Sequence, residues 1–166
     1  MYEMIQELRL VDIGSKKLTH FDMCGFPGAF VFATNHYVKT KTNIKEYDWY
    51  INSFKEELKE GDIKQKYLRD KFNLQKKYQD RFLYGTGNGD ITDIENIKEY
   101  INFYQDKDVD LVSSDCGLQI KWNESYLREE QMIKIHFGQF VCGISILKKG
   151  GHFVMKNYSQ MKPLSI

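Results

Sequence analysis

Four stretches of the 166-residue sequence bring together residue types able to do chemistry. The first runs Asp22-Met23-Cys24-Gly25-Phe26-Pro27-Gly28, an aspartate closing an apolar segment and then a tight glycine turn. Glycines at 25 and 28 let a ligand approach the main chain closely. The turn lacks the third glycine of a dinucleotide fingerprint and the Gly-Lys-Ser/Thr of a phosphate loop. With bulky Phe26-Pro27 inside it, it is not shaped for pyrophosphate. The second stretch, Gly85-Thr86-Gly87-Asn88-Gly89-Asp90, holds three glycines and ends on a carboxylate. Asp115 closes the apolar segment VDLVSS, and Lys156 closes HFVMK. A desolvated lysine there could deprotonate or orient a weak acid, whereas beside Asp115 it would stay charged and act by hydrogen bonding.

Carboxylates such as Asp90 and Asp115 satisfy groups that are cationic or that donate hydrogen bonds. A sulfonium, an α-ammonium and an adenine amino group fit that description, so the pattern suits S-adenosylmethionine. Plainer readings stand beside this one. Gly25 and Gly28 could form an ordinary turn, Asp90 a turn in Asn-Gly-Asp, Asp115 a helix cap and Lys156 a surface lysine. His20, His36, His136 and His152 lack ligand spacing, so no metal site is expected. Cys116 has no His or Asn constellation around it and reads as a small buried residue. The basic stretch from Lys39 to Arg81, with Trp49, Tyr50, Tyr67 and Tyr78, could contact phosphates and stack bases. A solvated helical hairpin explains most of it equally well.

Periodicity supplies the elements that would position these groups. Ile5, Leu8 and Val11 predict an opening helix over 2–11 that Gly14-Ser15 ends. Strands are expected at Leu18–Met23, Glu46–Asn52, Val109–Ser114 and His152–Lys156. Helices are expected at Ala29–Lys39, near Ile63–Tyr78 and at about Asp93–Gln105, the last with Ile94, Ile97 and Ile101 on one face. A long helix over Ser125–Lys149 would turn Ile133, Phe137, Phe140, Ile144 and Leu147 inward, and Gly150-Gly151 would break it. Strands alternating with helices imply an α/β fold, a parallel sheet with helices on both faces. Sites in such sheets sit at the carboxyl ends of strands, where the glycine turn, Asn52-Ser53, Asp115 and Lys156 would converge.

Composition bounds the rest. The length suits one domain, and 42% hydrophobic with 14% aromatic residues excludes a disordered chain. A net charge of +1 hides blocks: residues 37–84 carry +4, 85–130 carry −7 and 131–166 carry +5. A uniform nucleic-acid coat is excluded, but an acidic pocket beside a basic flank is not. Cys24, Cys116 and Cys142 show no close pair, which argues against a disulfide scaffold and suits an intracellular, reducing compartment, nucleus or cytoplasm. No apolar run reaches the roughly 18 residues of a membrane span, so no membrane partner is expected.

The motifs also carry a resemblance. FDMCGFPGAF resembles the D-x-C-G-x-P-G-x-F turn of the FtsJ-like RNA ribose 2′-O-methyltransferases, and YDWYINSF, RFLYGTGNGDIT, DLVSSDCGL and ILKKGGHFVMKNY follow in family order. The spacing and the GDIT segment look most like the cap-specific mRNA enzymes of eukaryotes and large DNA viruses, which for a virus would place the protein in the host cytoplasm. The resemblance implies a Rossmann-like methyltransferase sheet, S-adenosyl-L-methionine as methyl donor and capped mRNA as partner. It implies methyl transfer to a ribose 2′-hydroxyl of cap-proximal nucleotides. The alternatives are a ribosomal or transfer RNA acceptor, or a non-catalytic module that binds cofactor or RNA.

The cofactor-binding set expected on this basis is Asp22, Cys24, Gly25, Phe26, Pro27, Gly28, Phe30, Asn52, Asp90, Ile91 and Asp115. Ala29 stands where the family often has a second consecutive glycine. Asp115 and Lys156 match two members of a Lys-Asp-Lys-Glu catalytic tetrad. The first lysine would lie just before Met1, since neither Lys16 nor Lys17 fits its context, and the glutamate beyond Ile166. The expectation is therefore one domain over 1–166, clipped at both ends, with a polar insertion around 53–80.

Overall fold

A computed structural model describes residues 1–55, 70–117 and 128–157. Its centre is β1 (Lys17–Met23) and β4 (Val109–Ser114). Every residue of β1 beyond Lys17 is buried, and so is β4 apart from half-buried Asp110. Strands covered on both faces need apolar or hydrogen-bonded side chains at every position, and parallel sheets are covered in this way. β2 (Glu46–Asn52) and the two-residue β3 (Phe82–Leu83) extend the sheet on one side, and β5 (Leu147–Met155) on the other. The order is β3-β2-β1-β4-β5 with all neighbours parallel. This is the α/β sheet, with helices on both faces, that the sequence pattern implies.

One face carries α1 (Tyr2–Leu8) and α2 (Ala29–Lys41), packed through Ile5, Leu10, Val11, Leu18, Tyr37 and Val38. The other carries α4 (Ile94–Tyr104) and α5 (Arg128–Ile146), packed through Phe21, Met23, Ile97, Tyr100, Val112 and Cys142 among others. Lysines at 39 and 41 lie in the last turn of α2, where the helix dipole favours cations. Asp93 caps α4 by accepting the Glu95 N–H at 3.0 Å. In the stretch expected to form a polar helix, residues 56–69 lie outside the described residues. Beyond them only the short α3 (Leu74–Lys77) forms, followed by a 3-10 turn at Gln79–Arg81.

Three expectations about faces are corrected. In α5 the residues expected inward are exposed, Phe137 at 69%, Ile144 at 51%, Phe140 at 50% and Ile133 at 42%. Met132, Gln139, Cys142 and Ile146 face the core instead. Apolar residues occur all around this helix, so periodicity did not single out a face. Two glycines did: the backbone at Gly138 lies against the Ile91 carbonyl and that at Gly143 against the Phe153 ring, with no room for a Cβ. In α4 Ile94 is exposed while Asn96 and Tyr100 are buried, and in α1 Leu8 is exposed. Gly150-Gly151 does not end a helix. The pair lies inside β5, where the ladder to β4 shifts register between Val109 and Leu111, so Leu147 belongs to the strand.

Candidate functional site

The carboxyl ends of β1, β2 and β4 are tied together by buried polar side chains. Asn52, the last residue of β2, is fully buried. Its amide donates to the Gly89 carbonyl at 2.9 Å and to the Tyr100 hydroxyl at 2.8 Å, and its Oδ1 accepts the Cys24 N–H at 3.3 Å. One side chain thus holds the turn after β1, the glycine-rich segment after β3 and helix α4. The Gly25 N–H adds a bond to the Asn52 carbonyl at 3.0 Å. The turn itself contains a cis Phe26–Pro27 bond and a left-handed Gly28 at φ 102°. Phe26 is half-buried with its ring 6.4 Å from that of Phe82, and Phe30 is half-buried in the first turn of α2.

Asp22 lies beneath this turn. Its Oδ1 accepts a 2.6 Å bond from Ser113, and its Oδ2 is buried with no hydrogen-bond partner among the described residues. A Cβ at position 25 would overlap that carboxyl, which is why glycine is required there. His20 lies 2.7 Å from Ser113 Oγ and 2.8 Å from the Tyr47 hydroxyl. With the Ser113 proton directed to Asp22, His20 Nε2–H donates to Ser113 and Nδ1 accepts from Tyr47. Burial pushes the Asp22 carboxyl up to about 7, Asp115 adding to the rise and the Ser113 bond opposing it. Burial alone pushes His20 down to about 3, so its ring is neutral near pH 7.

In the segment after β3, Asn96 does for the loop what Asn52 does for the edge. Its Oδ1 accepts from the Thr86 N–H and hydroxyl, both at 2.8 Å, and its amide donates to Asn88 Oδ1 and the Asp90 carbonyl, both at 2.9 Å. Gly89, at φ 72°, packs against the Ser53 carbonyl. Asp90 uses Oδ1 to accept from Thr92 N–H and Oγ1 at 2.8 Å, so the turn-forming role holds, while Oδ2 accepts nothing from the described residues. Ile91 is buried in the α4/α5 core.

Past β4 and β5 the two remaining candidates meet. The Lys156 N–H donates to the Ser114 carbonyl at 2.9 Å, and its ammonium pairs with Asp115 Oδ1 and reaches the Asp115 carbonyl at 3.3 Å. Both side chains remain partly open to solvent, at 42% and 46%. Ser114 is anchored from below by Gln139 of α5, its hydroxyl donating to Gln139 Oε1 at 2.5 Å. Lys16 and Lys17 lie at the opposite end of the sheet, about 20 Å from the edge at ~3.3 Å per strand residue. Lys17 pairs there with Glu46.

One feature of this edge overturns an expectation. Cys24 and Cys116, far apart in sequence, are joined by a disulfide. Met23 and Ser114 are register partners in adjacent parallel strands, so the residues just beyond them become neighbours at a Cα separation of 5.0 Å. Spacing along the chain could not report a proximity that strand pairing creates. Cys142 remains a free, buried thiol.

The structure thus brings together Asp22, the 24–28 turn, Asn52, Asp90, Asp115 and Lys156. Asn96, Tyr100, Ser113, His20 and Gln139 were not singled out from sequence. Polar residues inside apolar segments, such as Ser113 and Gln139, were the available signal. Open carboxylate oxygens at Asp90 and Asp115 beside a close-packed glycine turn fit a ligand that is cationic and rich in donors. Among the described residues no cluster could hold a metal ion, and no helix is long and apolar enough to cross a membrane.

Parallel order 3-2-1-4-5 with this turn after the first strand defines a Rossmann-like methyltransferase core. Residues 1–165 match the FtsJ-like methyltransferases, and the chain belongs to that family. Its members use S-adenosylmethionine and act on RNA. Among curated proteins it is 33% identical to an uncharacterized protein of Acanthamoeba polyphaga mimivirus, over all of this chain and 21% of that protein. It is 26% identical to a probable methyltransferase of African swine fever virus, over 96% of this chain and 38% of the other. It is 30% identical to cap-specific mRNA (nucleoside-2′-O-)-methyltransferase 1 of Mus musculus, over 87% of this chain and 17% of the other. The chain spans less than two fifths of each of these relatives.

Proposed function

We propose that this domain binds S-adenosylmethionine at the carboxyl edge of β1, β2 and β4 and serves methyl transfer to a ribose 2′-hydroxyl of capped mRNA. The observation that carries the reading is the meeting of the 24–28 turn, Asp115 and Lys156 at one sheet edge. The capped acceptor is supported by the similarity to cap-specific mRNA methyltransferases of mouse and Trypanosoma cruzi. S-adenosylmethionine supplies an electrophilic methyl group when bound. Asp90 Oδ2 and Asp115 Oδ2 are the acceptors that would hold its donor groups, with the turn packed against it.

Lys156 acts on the acceptor. Of its three N–H donors, one is taken by the Asp115 carboxylate and one by the Asp115 carbonyl, which leaves one for a hydroxyl oxygen. The ammonium orients that oxygen and stabilises negative charge as it develops there. Asp115 is the hinge of the site because it touches both the lysine and the donor side. Fixing two reactants in one geometry supplies much of the acceleration in such transfers.

The test is calorimetric titration with S-adenosylmethionine, followed by methylation assays of the full-length gene product on capped and uncapped RNA. Binding that Gly25→Trp abolishes, with methylation confined to capped RNA, is the expected result. No heat at millimolar ligand would remove the cofactor assignment. Equal rates on uncapped RNA would redirect the acceptor to another RNA class.

A further inference from the structure

The Cys24–Cys116 bridge joins the two halves of the candidate site. Cys24 is the first residue of the glycine turn, held in a left-handed conformation at φ 55°, and its N–H is bound by Asn52. Cys116 directly follows Asp115, is 2% exposed, and lies 3.6 Å from the Ser114 hydroxyl that Gln139 anchors. The only other covalent path between the turn and the Asp115 segment is 92 residues of chain. The bridge packs in the α4/α5 core cluster with Met23, Ile91 and Cys142. A crosslink so placed ties the glycine turn to the Asp115 segment.

In a glutathione-buffered compartment a disulfide is transient or regulatory rather than a permanent staple. The three cysteines are unequal there. Cys24 is half-buried and the more open of the bonded pair, Cys116 is 2% exposed, and Cys142 is fully buried, which shields it from exchange and pushes its thiol up to about 12. We propose that Cys24 and Cys116 form a reversible redox switch on the methyl-donor site, closed when oxidised and relaxed when reduced. The cofactor part of this proposal rests on the S-adenosylmethionine reading given above.

The oxidant is a small-molecule disulfide. The Cys24 thiolate attacks one of its sulfurs, forming a mixed disulfide and releasing one small thiol. The Cys116 thiolate then displaces the second small thiol from the Cys24 sulfur. Two protein thiols lose two electrons and two protons, and one small disulfide becomes two thiols. A dithiol reductant runs the exchange backwards. Once open, the turn keeps its Asn52 bonds but loses its covalent tie to the Asp115 segment, so the two sides must be ordered by the ligand itself. That ordering lowers affinity.

The test equilibrates the protein across graded ratios of reduced to oxidised glutathione, alkylates free thiols and maps them by mass spectrometry. Cys24 and Cys116 should become protected together as the buffer turns oxidising, while Cys142 reports as a thiol throughout once the protein is denatured. Amide hydrogen exchange at residues 24–28 and 115–117 should be slower in the oxidised form. The dissociation constant for S-adenosylmethionine should be about tenfold larger in the reduced form. Cys116→Ser should behave as the reduced protein at every ratio, and Cys142→Ser as the wild type. Three alkylated cysteines at all ratios would overturn the proposal, as would exchange and affinity that ignore the redox state. Redox-dependent exchange without donor binding in either form would keep the switch and refute the cofactor reading.

Discussion

β4 and β5 are bridged by a lysine–aspartate pair at each end, and the two pairs differ in what remains available. At the amino end Lys148 pairs with Asp110, and Asp110 Oδ2 also accepts the Thr19 N–H at 2.7 Å. That carboxylate is 18% exposed, engaged on both oxygens, and stitches three strands together. At the carboxyl end Lys156 pairs with Asp115, which is 46% exposed and engages one oxygen. The same two residue types make a structural clasp at one end and an unfinished site at the other. The difference lies in the neighbours. Asp110 sits at the register shift and one residue before β4 begins to pair with β1, so the Thr19 N–H is left for its carboxylate, whereas the chain leaves the sheet at Asp115.

The strongest way to break this comparison is to truncate each lysine. Lys156→Ala in the full-length gene product should reduce methyl transfer by ~10²-fold or more and leave donor binding intact, as removal of a positioned acid–base or charge-stabilising group does. Retained activity would remove the distinction between the two ends.

A second prediction concerns the buried carboxyl under the turn. Asp22 rises from 3.8 to about 7 on folding, so between those values the folded state holds a proton that the unfolded state has lost. Stability contributed by this group therefore falls as pH rises through that window. His20 falls from 6.5 to about 3, so the unfolded state binds the extra proton and its contribution rises with pH over a largely overlapping range. The two trends oppose each other in the wild type. Asp22→Asn should leave the His20 trend exposed, so that the variant gains stability relative to wild type between pH 4 and 7, on the order of a few kcal/mol. Urea melts of both proteins across that range measure it, and parallel curves would show that Asp22 does not hold the proton.

The smallest effect is expected at the clasp. Lys148→Ala should cost no more than about 1 kcal/mol of stability, the usual range for a partly exposed pair, and leave methylation unchanged. Thermal melts and the same assay check both halves, and lost activity would mean that the amino end communicates with the site.

Much of this was legible in the sequence. β1 and β4 are recovered because strands buried on both faces demand runs such as LTHFDM and VDLVSS, and β2 keeps its expected bounds, whereas β5 begins five residues before the expected His152. Asp115 and Lys156 could be placed at one edge because strand direction in a parallel sheet puts every strand's last residue on the same side. What failed were decisions between faces. Phe137 and Phe140 read as core by type, yet the glycines at 138 and 143 decide which side of α5 approaches the sheet.

The sequence by itself determined the parallel α/β core, the glycine turn and the set of residues at the carboxyl edge, because those follow from local pattern and strand direction. Tertiary structure alone decided the rest. Asn52 holds two loops and helix α4, Asp22 lies buried beneath Gly25, and Cys24 meets Cys116, because strand order makes β2, β1 and β4 neighbours. Contacts between residues tens of positions apart depend on which strands pair, and local pattern carries no record of that choice.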